Sequence, residues 1–491
     1  MSSNAEKVPA SEVHASENTA GKAKKIGLLP LVALVISSSI GGGIFGMPTD
    51  LAAGAAPGPA LIAWTIVGFG ILMLSLSFNN LIKKRPDLDG IFSYAEEGFG
   101  KFSGFISGWG YWLSAWLGNV AFATMIMSAF AYFFPVFKDG QNIPSIIFAS
   151  ILMWGLTFIV NRGVESATLL NTIITICKLI PLFVFIVIGI FAFKLDIFTA
   201  NFWGKLSTNI DSGSVFNQVK SCMMVMMWVF VGIEGASMLS SRAEKKSDAG
   251  KATILGLLGL LLIYVLASII PYGIMSQQEI ASVKQPSIAY IFKDVVGPWG
   301  AAFINIGLII SLIGCWLSWT MLPGETTLLM SRKGLLPKAF GRTNTANAPT
   351  FSFIVTAALI QLFVFTFLFT DKAYNFAYSL CTAAILICYV FVALYQVKLS
   401  YQNRQQKGEV LQLIIGICAL AFQIWGIWAA GLSYTLLCFT AYIPGIFFFM
   451  KARKEQGAKE LLSKKEWMAA TVIVIGAMIA IYLILTGKVQ F

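Results

Sequence analysis

Histidine is almost missing from this chain: among 491 residues only His14 is one, and it sits in a polar N-terminal stretch. That scarcity removes histidine-based metal ligation, histidine triads and histidine proton relays together. Charge is also scarce. Lys, Arg, Asp and Glu make up 12% of the residues, against roughly 25% in a soluble domain. There is no G-x-x-x-x-G-K-[ST] loop, so a primary ATP-driven pump within this chain is excluded. The seven cysteines (Cys177, Cys222, Cys315, Cys381, Cys388, Cys418, Cys438) lie in apolar stretches without a C-x-x-C pair. They read as small buried hydrophobes, not as a disulfide framework or a zinc site. No metal and no cofactor is expected. A cleavable signal peptide is not expected either, because the first apolar stretch is long and lacks a small-residue exit pattern.

What the chain has instead is apolar length. It is 57% hydrophobic, with a mean hydropathy of +0.77. About thirteen segments are long enough to cross a hydrocarbon core of about 30 Å: 26–54, 58–82, 103–134, 143–161, 167–193, 216–240, 252–276, 297–325, 350–370, 373–398, 410–430, 432–451 and 467–486. They are numbered spans 1 to 13 below. An all-α polytopic membrane protein follows. Residues 1–25, rich in Ser, Ala, Glu and Lys, read as a disordered cytoplasmic tail.

The net charge of +12 invites a nucleic-acid reading, and its distribution refutes it. With the tail placed in the cytoplasm and sides alternating, 26 Lys and Arg fall inside and 8 outside, and Lys178 within span 5 completes the 35. This is a positive-inside bias. It expects a multi-pass protein of a cell membrane, N-terminus cytoplasmic and C-terminus outside, with the bilayer and not a nucleic acid as its partner.

Two spans are interrupted by glycine in corresponding places. Span 1 reads Ser37-Ser38-Ser39-Ile40-Gly41-Gly42-Gly43-Ile44-Phe45, and span 6 reads Phe230-Val231-Gly232-Ile233-Glu234-Gly235-Ala236. Glycine costs a helix roughly 1 kcal/mol relative to alanine, and backbone freed at membrane depth is tolerated only where it lines a cavity. Paired breaks of this kind mark the binding site of a carrier. If spans 1 and 6 are broken, spans 1–5 and 6–10 form two halves, inverted because five is odd. The expected organisation is a tail (1–25), a ten-helix inverted-repeat transport core (26–398) and peripheral helices 11–13 (399–491). Helical turns are expected within 83–101 and an interfacial helix near 285–293. Pro181 and Pro271 read as kinks.

Glu234, beside the second break, is the only carboxylate that reads as lying deep inside an apolar span. At mid-depth an acid costs about 2.5–3.5 kcal/mol, which makes it a functional candidate. It would hold a basic substrate or couple protons; the alternative is a carboxylate accepting bonds from freed backbone amides. Lys178 has no carboxylate at i±3 or i±4. Its ammonium is expected against the unwound carbonyls of span 1, as a tethered cation in place of sodium; the alternative is snorkelling to an interface. Trp228 precedes Glu234, Trp319 lies in span 8, and Tyr111, Trp112, Trp116 and Asn119 follow one another in span 3. By i, i+4 spacing Tyr111, Trp112 and Trp116 read as sharing a face. Aromatic boxes hold guanidinium and ammonium groups at about 0.5–2 kcal/mol each. Any one of these tryptophans alone would more often be packing or interfacial belt.

At these residues the sequence resembles the amino acid–polyamine–organocation superfamily, specifically its basic amino acid antiporters. The blocks that carry the resemblance are Gly41-Gly42-Gly43-Ile44-Phe45, Ala55-Ala56-Pro57-Gly58, Trp109-Gly110-Tyr111-Trp112, Ala115-Trp116-Leu117-Gly118-Asn119, Gly232-Ile233-Glu234-Gly235-Ala236, Ser241-Arg242-Ala243-Glu244-Lys245 and Gly297-Pro298-Trp299-Gly300. They extend over nearly the whole chain. By resemblance to arginine/agmatine exchangers, Ser39 and Gly41, Gly42 and Gly43, with Val231 and Gly232, meet the substrate's carboxylate and amino groups. Trp228 stacks on the guanidinium, Asn119 contacts its end, and Phe122 lies three residues further on. Trp319 is the middle gate, Glu234 the acidic gate, Tyr111 an acid-sensing partner, and Lys178 the replacement for sodium. Two departures stand out: Gly42 where the family has serine, and Met321-Leu322-Pro323-Gly324-Glu325-Thr326-Thr327 after the gate tryptophan. The resemblance implies exchange of an extracellular cationic amino acid for its intracellular breakdown product, arginine for ornithine foremost. The alternatives are histidine/histamine or lysine/cadaverine exchange and proton-coupled uptake. It also implies a homodimer and no enzymatic activity.

Overall fold

The computed structural model describes residues 27–138, 140–163, 167–204, 214–234, 245–369 and 373–486, and among these no strand occurs. The expected tail, His14, Gly235, Ala236 and residues 241–244 lie outside them. Ten of the expected spans are continuous helices long and apolar enough to cross a membrane. Of the remaining three, span 5 is the helix Ala167–Ala192, with Pro181 inside it. Span 1 is two short helices, Leu28–Ser39 and Gly43–Ala52. Span 6 is the helix Val215–Trp228 followed by turns as far as Glu234. Pro271 does not bend a continuous helix: it begins a 3-10 turn, Ile270–Gly273, that closes span 7. Its missing N–H explains the change of winding.

The repeat is visible in which helices touch. Span 1 packs on span 7 and span 6 on span 2; span 3 packs on span 10 and span 8 on span 5. Spans 2 and 7, 3 and 8, and 4 and 9 are also neighbours. Exchanging each span n of the first half with n+5 maps this set of pairs onto itself. Short connecting helices repeat as well. Ile91–Phe99 precedes span 3 and Ser287–Val296 precedes span 8, in the two places where helical turns were expected. Each ends at a glycine in nearly the same conformation, Gly100 (φ 91°, ψ 173°) and Gly297 (φ 89°, ψ −175°), which only glycine adopts without strain.

Burial follows from this arrangement. Span 3 (Lys101–Phe133) is enclosed almost throughout, whereas spans 4, 9, 11, 12 and 13 expose an apolar belt that includes Ile151, Phe158, Leu362, Leu411 and Val472. An apolar belt of this extent on membrane-length helices faces lipid, which keeps it from water. Span 11 rests on spans 2 and 10, tied at its start by the ion pair of Lys84 with Glu409.

Candidate functional site

The helix of span 1 stops at Ser39 because Ile40 turns to an extended conformation (φ −74°, ψ 92°), and winding resumes at Gly43. The carbonyls this frees are taken up by side chains. Ile40 C=O accepts from the Lys178 ammonium at 3.0 Å and from the Cys315 thiol at 3.5 Å. Ser39 C=O lies 3.0 Å from the Tyr264 hydroxyl, which is also 2.7 Å from Val229 C=O in the second break. One phenol on span 7 therefore joins the two interruptions. In span 6, Val231 N–H donates to Trp228 C=O and Ile233 N–H to Phe230 C=O, a tightening to i→i+3 bonds. Gly232 then takes φ 107°, a value reserved for glycine. The Gly232 N–H donates to Glu234 Oε2 at 3.1 Å, and the Tyr389 hydroxyl donates to the same oxygen at 2.7 Å.

Both breaks open on one small cavity, lined by Ser39, Gly41, Gly43, Phe122, Trp228, Val231 and Trp319 of the expected residues. Gly43 faces it for a reason of space. A Cβ there would stand 2.8 Å from the Trp228 ring and from a Val229 methyl. The Trp228 ring stacks on Tyr378 (4.9 Å, 20°) and meets Tyr374 edge-on (5.7 Å, 78°). Across the cavity Trp319 lies 6.4 Å from Tyr111. The buried Ser39 hydroxyl has no hydrogen-bond partner among the described residues.

The other expected residues stand back from the wall. Asn119 is fully buried and donates to Trp319 C=O at 3.1 Å, locking span 3 to span 8, while its Oδ1 accepts nothing. Gly42 points at Leu312 and Met125, not into the cavity, so the family serine it replaces would not line this space. Gly232, Glu234, Tyr111 and Lys178 form a layer behind the lining.

The aromatic face read from span 3 is not one face. Trp112 donates to Thr356 and Trp116 packs on Phe363, both toward span 9, whereas Tyr111 alone turns to Trp319. Span 3 is buried on every side, so spacing along it does not distinguish core from site. A second carboxylate falls within a span: Asp50, near the end of span 1, is half-buried with Oδ2 enclosed. The contribution of span 10, which carried no obvious motif, comes from Tyr374, Tyr378, Cys381 and Tyr389. Their spacing of 4, 3 and 8 residues is a helical face and was available as a signal. Ser114, Gly118 and Val229 complete the lining.

A pair of interrupted helices whose loose ends meet at one cavity, within an inverted repeat, defines a secondary transporter. Residues 26–479 match the family model described as amino acid permease. The chain belongs to that family, within the amino acid–polyamine–organocation superfamily, and is a multi-pass membrane protein. It is 65% identical over 467 residues to the arginine/ornithine antiporter of Latilactobacillus sakei, a match that covers 95% of this chain and 98% of that protein. Identity to the arginine/ornithine antiporter of Pseudomonas aeruginosa is 42%, covering 94% and 97% of the two chains. The arginine/agmatine antiporter of Chlamydia felis is 41% identical, covering 95% and 98%.

Proposed function

We propose that this chain exchanges extracellular arginine for intracellular ornithine through the single cavity between the two helix breaks. The observation that carries this is the composition of that cavity. Its wall holds two half-helix ends, an unpaired serine hydroxyl and aromatic rings and, among the described residues, no charged side chain. A zwitterionic head group fits such a wall. Its carboxylate is met by the N-terminal amides of the helix Gly43–Ala52, where Gly42, Gly43 and Gly41 leave the backbone open. Its amino group is met by the carbonyl ends at Ser39, Val231 and Gly232. The cationic side chain extends among Trp228, Phe122 and Trp319, with Asn119 holding the Trp319 backbone and Glu234 supplying charge from behind. Lys178 occupies the place of a coupling ion, and Tyr111 and Glu234 belong to the machinery that opens one face.

Residues 26–398 serve as the transport core and 399–491 as its peripheral helices, with the N-terminus in the cytoplasm as the basic loops require. Arginine and ornithine carry the same net charge, so the exchange moves none across the membrane. The 65% identity to a protein of that activity supports the pair. Counterflow in proteoliposomes tests it: internal ornithine accelerates entry of labelled arginine, without a membrane-potential signal. Acceleration by an internal amine such as agmatine, histamine or cadaverine, with a potential change, would replace the pair. Uptake into empty vesicles driven by a pH gradient would replace antiport with proton coupling.

A further inference from the structure

A second polar station lies beside the cavity, between the far end of the helix Gly43–Ala52, the connection after span 7 and the start of span 10. Its members are Asp50, Gln285 and Tyr374. Gly43, Gly46 and Asp50 are spaced i, i+3, i+7, so they share one face of that helix. Gly43 lines the cavity. At Gly46 a Cβ would stand 2.6 Å from Gln285 Oε1 and 3.0 Å from the Tyr374 hydroxyl, so both side chains occupy the notch that the glycine leaves. The Gln285 amide donates to Gly46 C=O at 3.2 Å and reaches Asp50 Oδ1 at 3.4 Å. The ring of Tyr374 rests edge-on against Trp228, a residue of the cavity wall, so the station adjoins the cavity.

Three observations mark it as a place for a cation. Asp50 Oδ2 is enclosed and accepts no hydrogen bond, and no lysine or arginine among the described residues pairs with Asp50. The Tyr374 hydroxyl, on a side chain 5% exposed, is likewise without a partner. And Asp50 lies in the last turn of its helix, where the dipole opposes a negative charge. The carboxylate is nevertheless held firmly in place. Its neighbour Thr49 donates from its hydroxyl to Ile280 C=O at 3.0 Å and Val283 C=O at 3.2 Å, and from its N–H to Ser287 Oγ at 3.4 Å. A carboxylate oxygen and a phenol oxygen left without donors, beside a carrier's cavity and with no cationic partner among the described residues, suit a cation with several N–H donors.

We propose that Asp50 and Tyr374, with Gln285, form an outer subsite that captures the guanidinium or ammonium end of a substrate before it enters the cavity. In the orientation above, the station lies on the extracellular side, past Gly43 along span 1. The carboxylate takes two donors of the planar guanidinium, and the phenol oxygen accepts a third. Selection for charge then begins ahead of the aromatic cavity, whose own wall carries none. This rests on the reading of the substrate as a cationic amino acid.

The test uses the full chain in proteoliposomes, with external arginine against external citrulline, which keeps the shape and loses the charge. Asp50→Asn is expected to raise the external half-saturation for arginine about tenfold, with smaller changes for citrulline as inhibitor and for ornithine offered from inside. Asp50→Glu is expected to recover most of the loss. Tyr374→Phe, which keeps the ring on Trp228 and deletes only the hydroxyl, is expected to raise the same constant about threefold. Equal losses for arginine and citrulline, a loss confined to the inner face, or no loss in Asp50→Asn overturns the subsite. Wild-type protein that exchanges neither arginine nor ornithine overturns the antiport reading instead. Thermal stabilisation by agmatine then decides the subsite: a shift weakened in Asp50→Asn supports it, and equal or absent shifts overturn it.

Discussion

The Lys178 ammonium lies 3.0 Å from the carbonyl oxygen of Ile40 and 3.0 Å from Cys315 Sγ, on a side chain 1% exposed. Burying a lone cation at membrane depth is costly. Here the cation meets a carbonyl that the break in span 1 has deprived of its helical partner, so each group satisfies the other. A charge-assisted bond of this kind is worth about 1.5–3 kcal/mol.

Replacing Lys178 by methionine keeps the apolar stem and removes the donor. Exchange is expected to fall by at least about tenfold, with thermal stability falling alongside. In the wild type, replacing sodium by choline in the assay buffer is expected to leave flux unchanged. A sodium requirement in the wild type would contradict the role of a tethered cation.

Tyr264 offers a single O–H to two carbonyls, Ser39 at 3.0 Å and Val229 at 2.7 Å. Tyr264→Phe leaves both acceptors without that donor at almost unchanged packing. The expected loss is about 1–3 kcal/mol of stability, read as a lower melting temperature of purified protein. Substrate is expected to restore part of it, because its amino group would meet the Ser39 carbonyl.

Gly43 and Gly42 are neighbours with opposite surroundings. A methyl at Gly43 collides at 2.8 Å with a tryptophan pinned by its stack on Tyr378, whereas at Gly42 it would meet Leu312 and Met125 at an ordinary 3.5 Å. Gly43→Ala is therefore expected to weaken arginine binding about tenfold or more. Gly42→Ala is expected to do so at least about fivefold less. Isothermal titration of the two variants separates them, and equal effects would show that chain flexibility, not space, governs the break.

Glu234 accepts from Tyr389 on span 10 and from the Gly232 amide in its own turn. If this bond closes one face, Glu234→Gln and Tyr389→Phe act on the same contact. Each is expected to change the exchange rate, and the double variant to change it little further. The coupling is expected at about 0.5–3 kcal/mol from a double-mutant cycle. Additive effects would mean that the two residues act apart.

Span positions, the two breaks and the inverted halves were legible because each depends on local composition. Hydrophobic length, glycine runs and basic loops are read off the chain without knowing its neighbours. The backbone between Ser39 and Gly43 unwinds where three successive glycines weaken the helix, and the Gly232 turn follows the same logic. Lys178 and Glu234 stood out because charge is conspicuous in an apolar run. Tyr374, Tyr378 and Tyr389 did not, since a tyrosine in a span is unremarkable until its partner is known. Trp112 and Trp116 misled for the converse reason, being as aromatic as Trp228 yet packed toward span 9.

Composition and pattern along the chain were thus enough to establish a helical carrier with interrupted helices and a strong preference for basic loops on one side. Which side chains face the cavity depended on packing between segments far apart in sequence. Span 3 is enclosed on all sides, so only its contacts with spans 8, 9 and 10 separate Phe122, on the wall, from Trp112, off it. The same holds for Asp50. Its place near the end of an apolar span is plain in the sequence, but that its Oδ2 is enclosed without a donor emerges only when spans 1, 7 and 10 come together.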